Sequence, residues 1–190
     1  MIGKEGKRFE EDFKSSCDEA STLLLRLKDA TTNWSNAGTT RFTSEQPADY
    51  IAFRDRIFYA FELKSTKSNS MTFWSKEFEQ EDDTKKTYNI RKGQVLGLQK
   101  MMDYPYVVAG LIFNFREREN KTYFVHIKEF LRVTSLLPKK SFNYDEVQLM
   151  KPIEIYSIKK RTRHSYDMES FFITIYQMME RNGGYLYDET

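Results

Sequence analysis

Cysteine is nearly absent: Cys17 stands alone in 190 residues. No internal disulfide can form, and a reducing compartment is the natural setting. Histidine is almost as scarce. His126 and His164 lie far apart at no ligand spacing, which with one thiol argues against a zinc site. No apolar run is long enough to cross a bilayer, so no membrane role is expected. Met1 to Glu10 is polar and lacks the apolar segment of a secretory signal, so the expected location is cytoplasmic. No Gly-X-X-X-X-Gly-Lys-Ser/Thr loop is present, so no ATP-driven action is expected. Net charge is also small, +2. Overall charge therefore does not announce a nucleic-acid binder; only local clusters could. Internal repeats and low-complexity segments are missing too.

What remains is enough to fold. Hydrophobic residues make up 39% and aromatics 15%. The length suits a single domain over residues 1–190. Phe9, Phe13, Cys17, Ala20, Leu24 and Leu27 recur at helical spacing and predict a helix from about Lys4 to Leu27. Asp29 to Gln46 is rich in Thr, Asn, Ser and Gly and reads as a loop. Ala48 to Phe53 and Ile57 to Leu63 read as the arms of a β-hairpin turning at Arg54-Asp55-Arg56. Ser65 to Thr87 is polar and predicted irregular. A second helix follows at about Asn89 to Asp103, then strands at Tyr106 to Phe115 and Thr122 to Ile127. A short helix is expected at Lys128 to Leu137. The final helix runs from Asp167, its N-cap, to Arg181, stopped by Gly183-Gly184. The order predicts an α/β fold with a mixed central sheet flanked by helices.

One constellation carries chemistry. Asp49 and Glu62 sit on the two arms of the predicted hairpin, so pairing brings both carboxylates to one end of the sheet. Glu62 and Lys64, two apart, share a strand face. Two carboxylates can hold a hard divalent cation that keeps several waters. The Leu63 carbonyl between them is a candidate third ligand. A lysine there can orient an attacking water and stabilise charge developing on a phosphate. An Asp followed by Glu-X-Lys is common in so charged a chain, and a solvated Glu–Lys pair at a strand end would look the same. What favours a site is the apolar run that precedes Glu62.

Pro47-Ala48-Asp49 followed by Glu62-Leu63-Lys64 resembles the core of the PD-(D/E)XK nucleases, which have a restriction-endonuclease-like fold. More narrowly, Gly6-Lys7-Arg8-Phe9-Glu10, Pro47-Ala48-Asp49-Tyr50, Phe61-Glu62-Leu63-Lys64-Ser65-Thr66-Lys67 and Gln94 resemble RecU-type Holliday-junction resolvases. The match runs in order from Gly6 to about Phe130. The resemblance implies a magnesium-dependent homodimer, with manganese able to substitute, that nicks two strands of a four-way DNA junction. It implies that Glu10 is a first-helix acid near the metal, Asp49 and Glu62 metal ligands, and Lys64 the catalytic lysine. Gln94 would be a polar neighbour of the site, with Thr66 and Lys67 near the scissile phosphate. One departure matters. The cellular family carries a long stalk where this chain has only the short segment Asp29 to Gln46. A compact variant of this kind would suit a phage genome or a phage-infected bacterial host. Nicked, flapped or linear DNA therefore stays open as the substrate, as does a branched-DNA binder that does not cut.

Further candidates are basic. Lys159, Lys160, Arg161 and Arg163, with nearby Lys151, make residues 151–166 the densest cationic segment. It could contact DNA phosphates or be a solvated loop. Arg41 could also touch DNA. His126 alternates with apolar residues and reads as structural.

Overall fold

The computed structural model describes residues 4–27, 46–76 and 88–187. Arg41 and nearly all of the segment from Asp29 to Gln46 lie outside them. The main elements are α1 (Lys4–Glu19), β1 (Leu23–Arg26), β2 (Tyr50–Arg54), β3 (Ile57–Thr66) and β4 (Ser70–Thr72). Then come α2 (Lys92–Gln99), β5 (Val107–Phe115), β6 (Lys121–His126), α3 (Ile127–Thr134), β7 (Ser141–Asn143) and α4 (Tyr144–Val147). The chain finishes with β8 (Ile153–Ile155), β9 (Ser157–Lys159), β10 (His164–Tyr166) and α5 (Met168–Arg181).

Six strands form a mixed sheet in the order β1-β2-β3-β5-β6-β8. Only β3 and β5 run parallel. A parallel pair needs a crossover, and α2 lies in it. The hairpin is as expected: Tyr50 pairs with Phe61 and Arg54 with Ile57. Its two turn residues, Asp55 and Arg56, both have positive φ (51° and 66°), the geometry that matches strand twist in a two-residue loop.

Strand alternation divides the core in two. Tyr59, Phe61 and Leu63 of β3 point to α1 and α5, where Phe9, Phe13, Phe171 and Phe172 meet them. Ala60 of β3, with Leu111 and Phe113 of β5, faces Val95 and Leu98 of α2 and Phe130 of α3. The α/β class expected from the sequence, a central mixed sheet flanked by helices, is what the chain adopts.

Two expectations fail. The first helix ends at Glu19, not Leu27. The Thr22 N–H bonds the Cys17 carbonyl and the Ser21 N–H the Asp18 carbonyl, with Ser21 at φ 53°. That is a Schellman stop with serine in the position glycine usually marks. Leu24 fits the helical stripe, yet it is equally the inward residue of edge strand β1, which exposes Leu23 and Leu25. Second, the polar stretch after Ser65 is not wholly irregular. Ser65 and Thr66 complete β3, and β4 pairs with β7, burying Met71. Phe73 follows it into the core. At the far end, α5 is capped by Asp167, whose side chain accepts the Ser170 N–H, and stops at Gly183 and Gly184, both with positive φ. Among the described residues no helix is long and apolar enough to cross a membrane.

Candidate active site

The sheet builds the site at the far end of the hairpin. β2 begins at Tyr50, opposite Phe61, whereas β3 continues to Thr66. Glu62 to Thr66 therefore have a strand partner only on the β5 side. Extending the β2–β3 register by one residue sets Asp49 opposite Glu62. Directly opposed residues share a face. That face is the α2 side, since Tyr50 and Phe61 belong to the α1 core.

Glu62 is 1% exposed. The Lys64 ammonium donates to Glu62 Oε1 at 2.7 Å. The Gln94 amide nitrogen donates to the same oxygen. The orientation of that amide is fixed, because Gln94 Oε1 accepts the Arg91 backbone N–H at 2.9 Å. Gln94 thus serves as both the cap of α2 and a support for Glu62. Burial pushes the Glu62 carboxyl from 4.5 up to about 8. Lys64 opposes the rise, while a hydrogen bond with the Asp49 carboxyl and its charge add to it. Two carboxyls this close, with one withdrawn from water, favour sharing a proton or binding a cation.

Helix α2 reaches the pair because of Gly97. A Cβ on Gly97 would lie 2.6 Å from the Pro47 carbonyl oxygen and 2.7 Å from Pro47 Cα. Glycine lets the helix backbone rest on the segment that leads into Asp49.

Thus the structure brings together Asp49, Glu62, Lys64 and Gln94. Leu63 lies between the two charged residues with its side chain in the α1 core. Glu10 has other partners: it accepts the Tyr50 hydroxyl at 3.1 Å and pairs with Arg26 at 3.1 Å, on the opposite face of the sheet. Among the described residues no group of three or more Asp, Glu, His or Cys side chains converges as a metal cage. The fit for a divalent cation therefore rests on the Asp49–Glu62 pair. Two carboxylates suit magnesium, which keeps several of its waters.

Thr66 ends β3, and its hydroxyl accepts the Ser68 N–H at 2.9 Å. Lys67 is exposed and pairs with Glu5 at 3.2 Å.

The basic segment divides. Arg163 pairs with Glu11 at 2.9 Å and with Asp12, pinning the β9–β10 hairpin to α1. Lys160 lies 3.7 Å from Glu19. Lys151 sits elsewhere, 3.3 Å from Glu129. Lys159 and Arg161 are exposed and carry no ion pair among the described residues. His126 is structural: its Nδ1 accepts the Lys128 N–H at the start of α3. Burial drives it from 6.5 down to about 4.

Sequence reasoning gave Tyr50 no role beyond its place in a motif, and missed Gly97 and the Glu5–Arg116 pair. Tyr50 adjoins Asp49, but alternation sends it to the other face. Nothing local marks Gly97, because its role is a contact across about fifty residues of chain.

No protein-family model matches the chain. Among solved structures it is similar to Hjc, a Holliday junction resolvase from the archaeal hyperthermophile Archaeoglobus fulgidus. That match has a TM-score of 0.45 and 16% identity, covering 78% of this chain and 94% of Hjc. Among curated proteins it is similar to the SPbeta prophage-derived uncharacterized protein YotM of Bacillus subtilis strain 168. The two are 30% identical over 173 residues, covering 85% of this chain and 82% of the relative. Identity at that level over most of both chains places this protein in the same family as the prophage-derived YotM.

Proposed function

We propose that this protein is a divalent-metal-dependent DNA endonuclease of the PD-(D/E)XK type, acting on branched DNA. The observation that carries the reading is the buried Glu62 carboxyl, opposed by Asp49 and held by Lys64 and Gln94 at the open end of β3. A structural ion pair would not need a second carboxyl against it in a buried position, since that arrangement is costly without a cation. Asp49 and Glu62 would hold magnesium or manganese, with the Leu63 carbonyl as a further candidate. When bound, such an ion neutralises phosphate charge and acidifies water. Lys64, two residues from Glu62 on the same face, would orient the attacking water and offset charge on the phosphate. Gln94 would hold Glu62 in place. Glu10 would join the site only by exchanging its bonds to Tyr50 and Arg26.

Selectivity for four-way junctions, and paired nicking by a homodimer, are supported by the resemblance of Gly6 to Glu10 and Phe61 to Lys67 to RecU-type resolvases. The short segment between β1 and β2 is the reason to test other substrates alongside. The deciding experiment incubates the protein with junction, flap, nicked and linear DNA in magnesium, in manganese and in chelator. Metal-dependent cutting that favours the junction is expected. Cutting of flaps or linear duplex instead would keep the nuclease and replace the substrate. Tight junction binding without cutting in either metal would replace the enzyme with a binding protein.

A further inference from the structure

We propose that Lys67 and Arg116 form a phosphate clamp beside the cleavage site, and that Glu5 occupies it as a resident anion which DNA displaces. The inference rests on the nuclease reading. Three elements meet here. Lys67 follows the last residue of β3, Arg116 follows the last residue of β5, and Glu5 lies in the first turn of α1. The parallel register sets Thr66 beside Phe115, and the Arg116 N–H donates to the Thr66 carbonyl at 3.0 Å. Both cations therefore leave the sheet at the same end.

They converge on one carboxylate, each taking a different oxygen. Lys67 Nζ is 3.2 Å from Glu5 Oε1, and Arg116 Nη1 pairs with Glu5 Oε2. Two cations on two oxygens of one anion is also how a protein holds the two free oxygens of a phosphodiester. The Arg116 side chain is 24% exposed, Glu5 45% and Lys67 59%. The grouping is thus open to a ligand, while Arg116 is backed by protein. Its Nε is buried without a hydrogen-bond partner, so the guanidinium is not saturated by its present contacts. By contrast Arg163 sits on Asp12, which is largely buried, and is committed to holding the fold.

The position suits a role in DNA binding. Lys67 lies three residues beyond Lys64, about 10 Å along an extended chain, and alternation turns it to the α1 face, so the clamp sits at the end of the sheet on the face opposite Glu62 and Lys64. The distance corresponds to about three nucleotides of rise on a DNA strand. A strand whose scissile phosphate lies at Lys64 and which passes over the end of the sheet can place a phosphate about three nucleotides away in the clamp. Glu5 then competes with DNA, so the clamp favours substrates that present a phosphate here over weak non-specific contacts.

The test measures junction binding in chelator, where nothing is cut, over a series of salt concentrations, with cleavage in magnesium measured in parallel. Wild type, Lys67→Ala, Arg116→Ala and Glu5→Gln are compared after thermal melts establish that each is folded. Loss of either cation should weaken binding about threefold to tenfold and flatten the slope of log affinity against log salt by about 0.9. Glu5→Gln should tighten binding, a gain that damage to folding cannot produce. If wild type binds and cuts but Glu5→Gln leaves affinity unchanged, Glu5 is only a tether for α1 and the proposal is overturned. Unchanged salt slopes in both cation variants overturn it equally, and the nuclease reading survives. A wild type that neither binds nor cuts DNA removes the nuclease reading and the clamp together.

Discussion

Replacing Glu62 by glutamine tests whether its burial has the energetic consequence the geometry implies. The carboxyl sits at about 8 in the folded chain against an ordinary 4.5. Between these values the folded protein keeps a proton that the unfolded chain has released. Raising the pH through this window therefore favours unfolding, and metal-free wild type should lose stability steadily until about pH 8. At 1.36 kcal/mol per pH unit the full displacement corresponds to roughly 5 kcal/mol. Water entry and relaxation around a carboxyl at a sheet end should reduce this to about 2–3 kcal/mol. Glu62→Gln keeps the shape and a hydrogen-bonding oxygen but cannot ionise. Its stability should match wild type near pH 5 and exceed it by that amount near pH 9. Urea titrations in chelator at several pH values give the difference, since titrating groups away from Glu62, Asp49 and Lys64 cancel between the two proteins. A divalent ion should erase the difference. At about a hundredfold its dissociation constant an ion adds roughly 2.7 kcal/mol to whatever binds it. At pH 8 this should raise the wild-type melting temperature by about 5–10 °C and leave Glu62→Gln unmoved. A constant stability difference from pH 5 to pH 9 would refute the buried-charge argument. A melting temperature that rises equally in both proteins would refute Glu62 as a ligand.

Other perturbations separate chemistry from scaffold. Lys64→Met should remove cutting by a factor of about a hundred or more while leaving junction affinity within about twofold, read by single-turnover cleavage and anisotropy; residual cutting near the wild-type rate would exclude Lys64 from the reaction. Gly97→Ala forces a methyl group against the Pro47 backbone. It should cost about 1–3 kcal/mol of stability and slow cutting by moving Gln94 off Glu62; a variant with wild-type melting and rate would show that the close approach is not needed. Arg163→Ala should lower the melting temperature through loss of the Asp12 contact, with the salt slope of DNA binding unchanged; a flatter slope would return Arg163 to the DNA interface.

The chain discloses its candidate site more readily than its periphery, and the reason is the range of the contacts involved. Glu62 and Lys64 are joined by strand alternation, a rule that operates over two residues. Asp49 joins them through a hairpin whose arms and turn are all local, so the register follows once the hairpin is recognised. The turn after α1 was hidden because its Schellman stop uses Ser21, and the adjacent Leu24 satisfies helix and strand patterns alike. Contacts across the sheet or between distant segments leave no local trace. Arg163 looks cationic and available until Asp12, about 150 residues earlier, is seen beneath it. Gly97 looks like a helix weakness until Pro47 is seen against it. Glu10, a candidate for the site, shows the same limit. Its place in the first helix was legible, but its present partners depend on β1 supplying Arg26 and on Tyr50 crossing to the α1 face. Arg26 comes from the edge strand that the helical reading hides, whereas Tyr50 lies on the hairpin arm that the sequence discloses. One of the two partners that hold Glu10 is thus supplied by an element the sequence misassigned. Releasing Glu10 with Tyr50→Phe and Arg26→Ala is the direct way to learn whether it belongs to the scaffold or to the site. Stronger metal binding in that double variant would assign Glu10 to the site. Unchanged metal affinity with reduced stability would assign it to the scaffold.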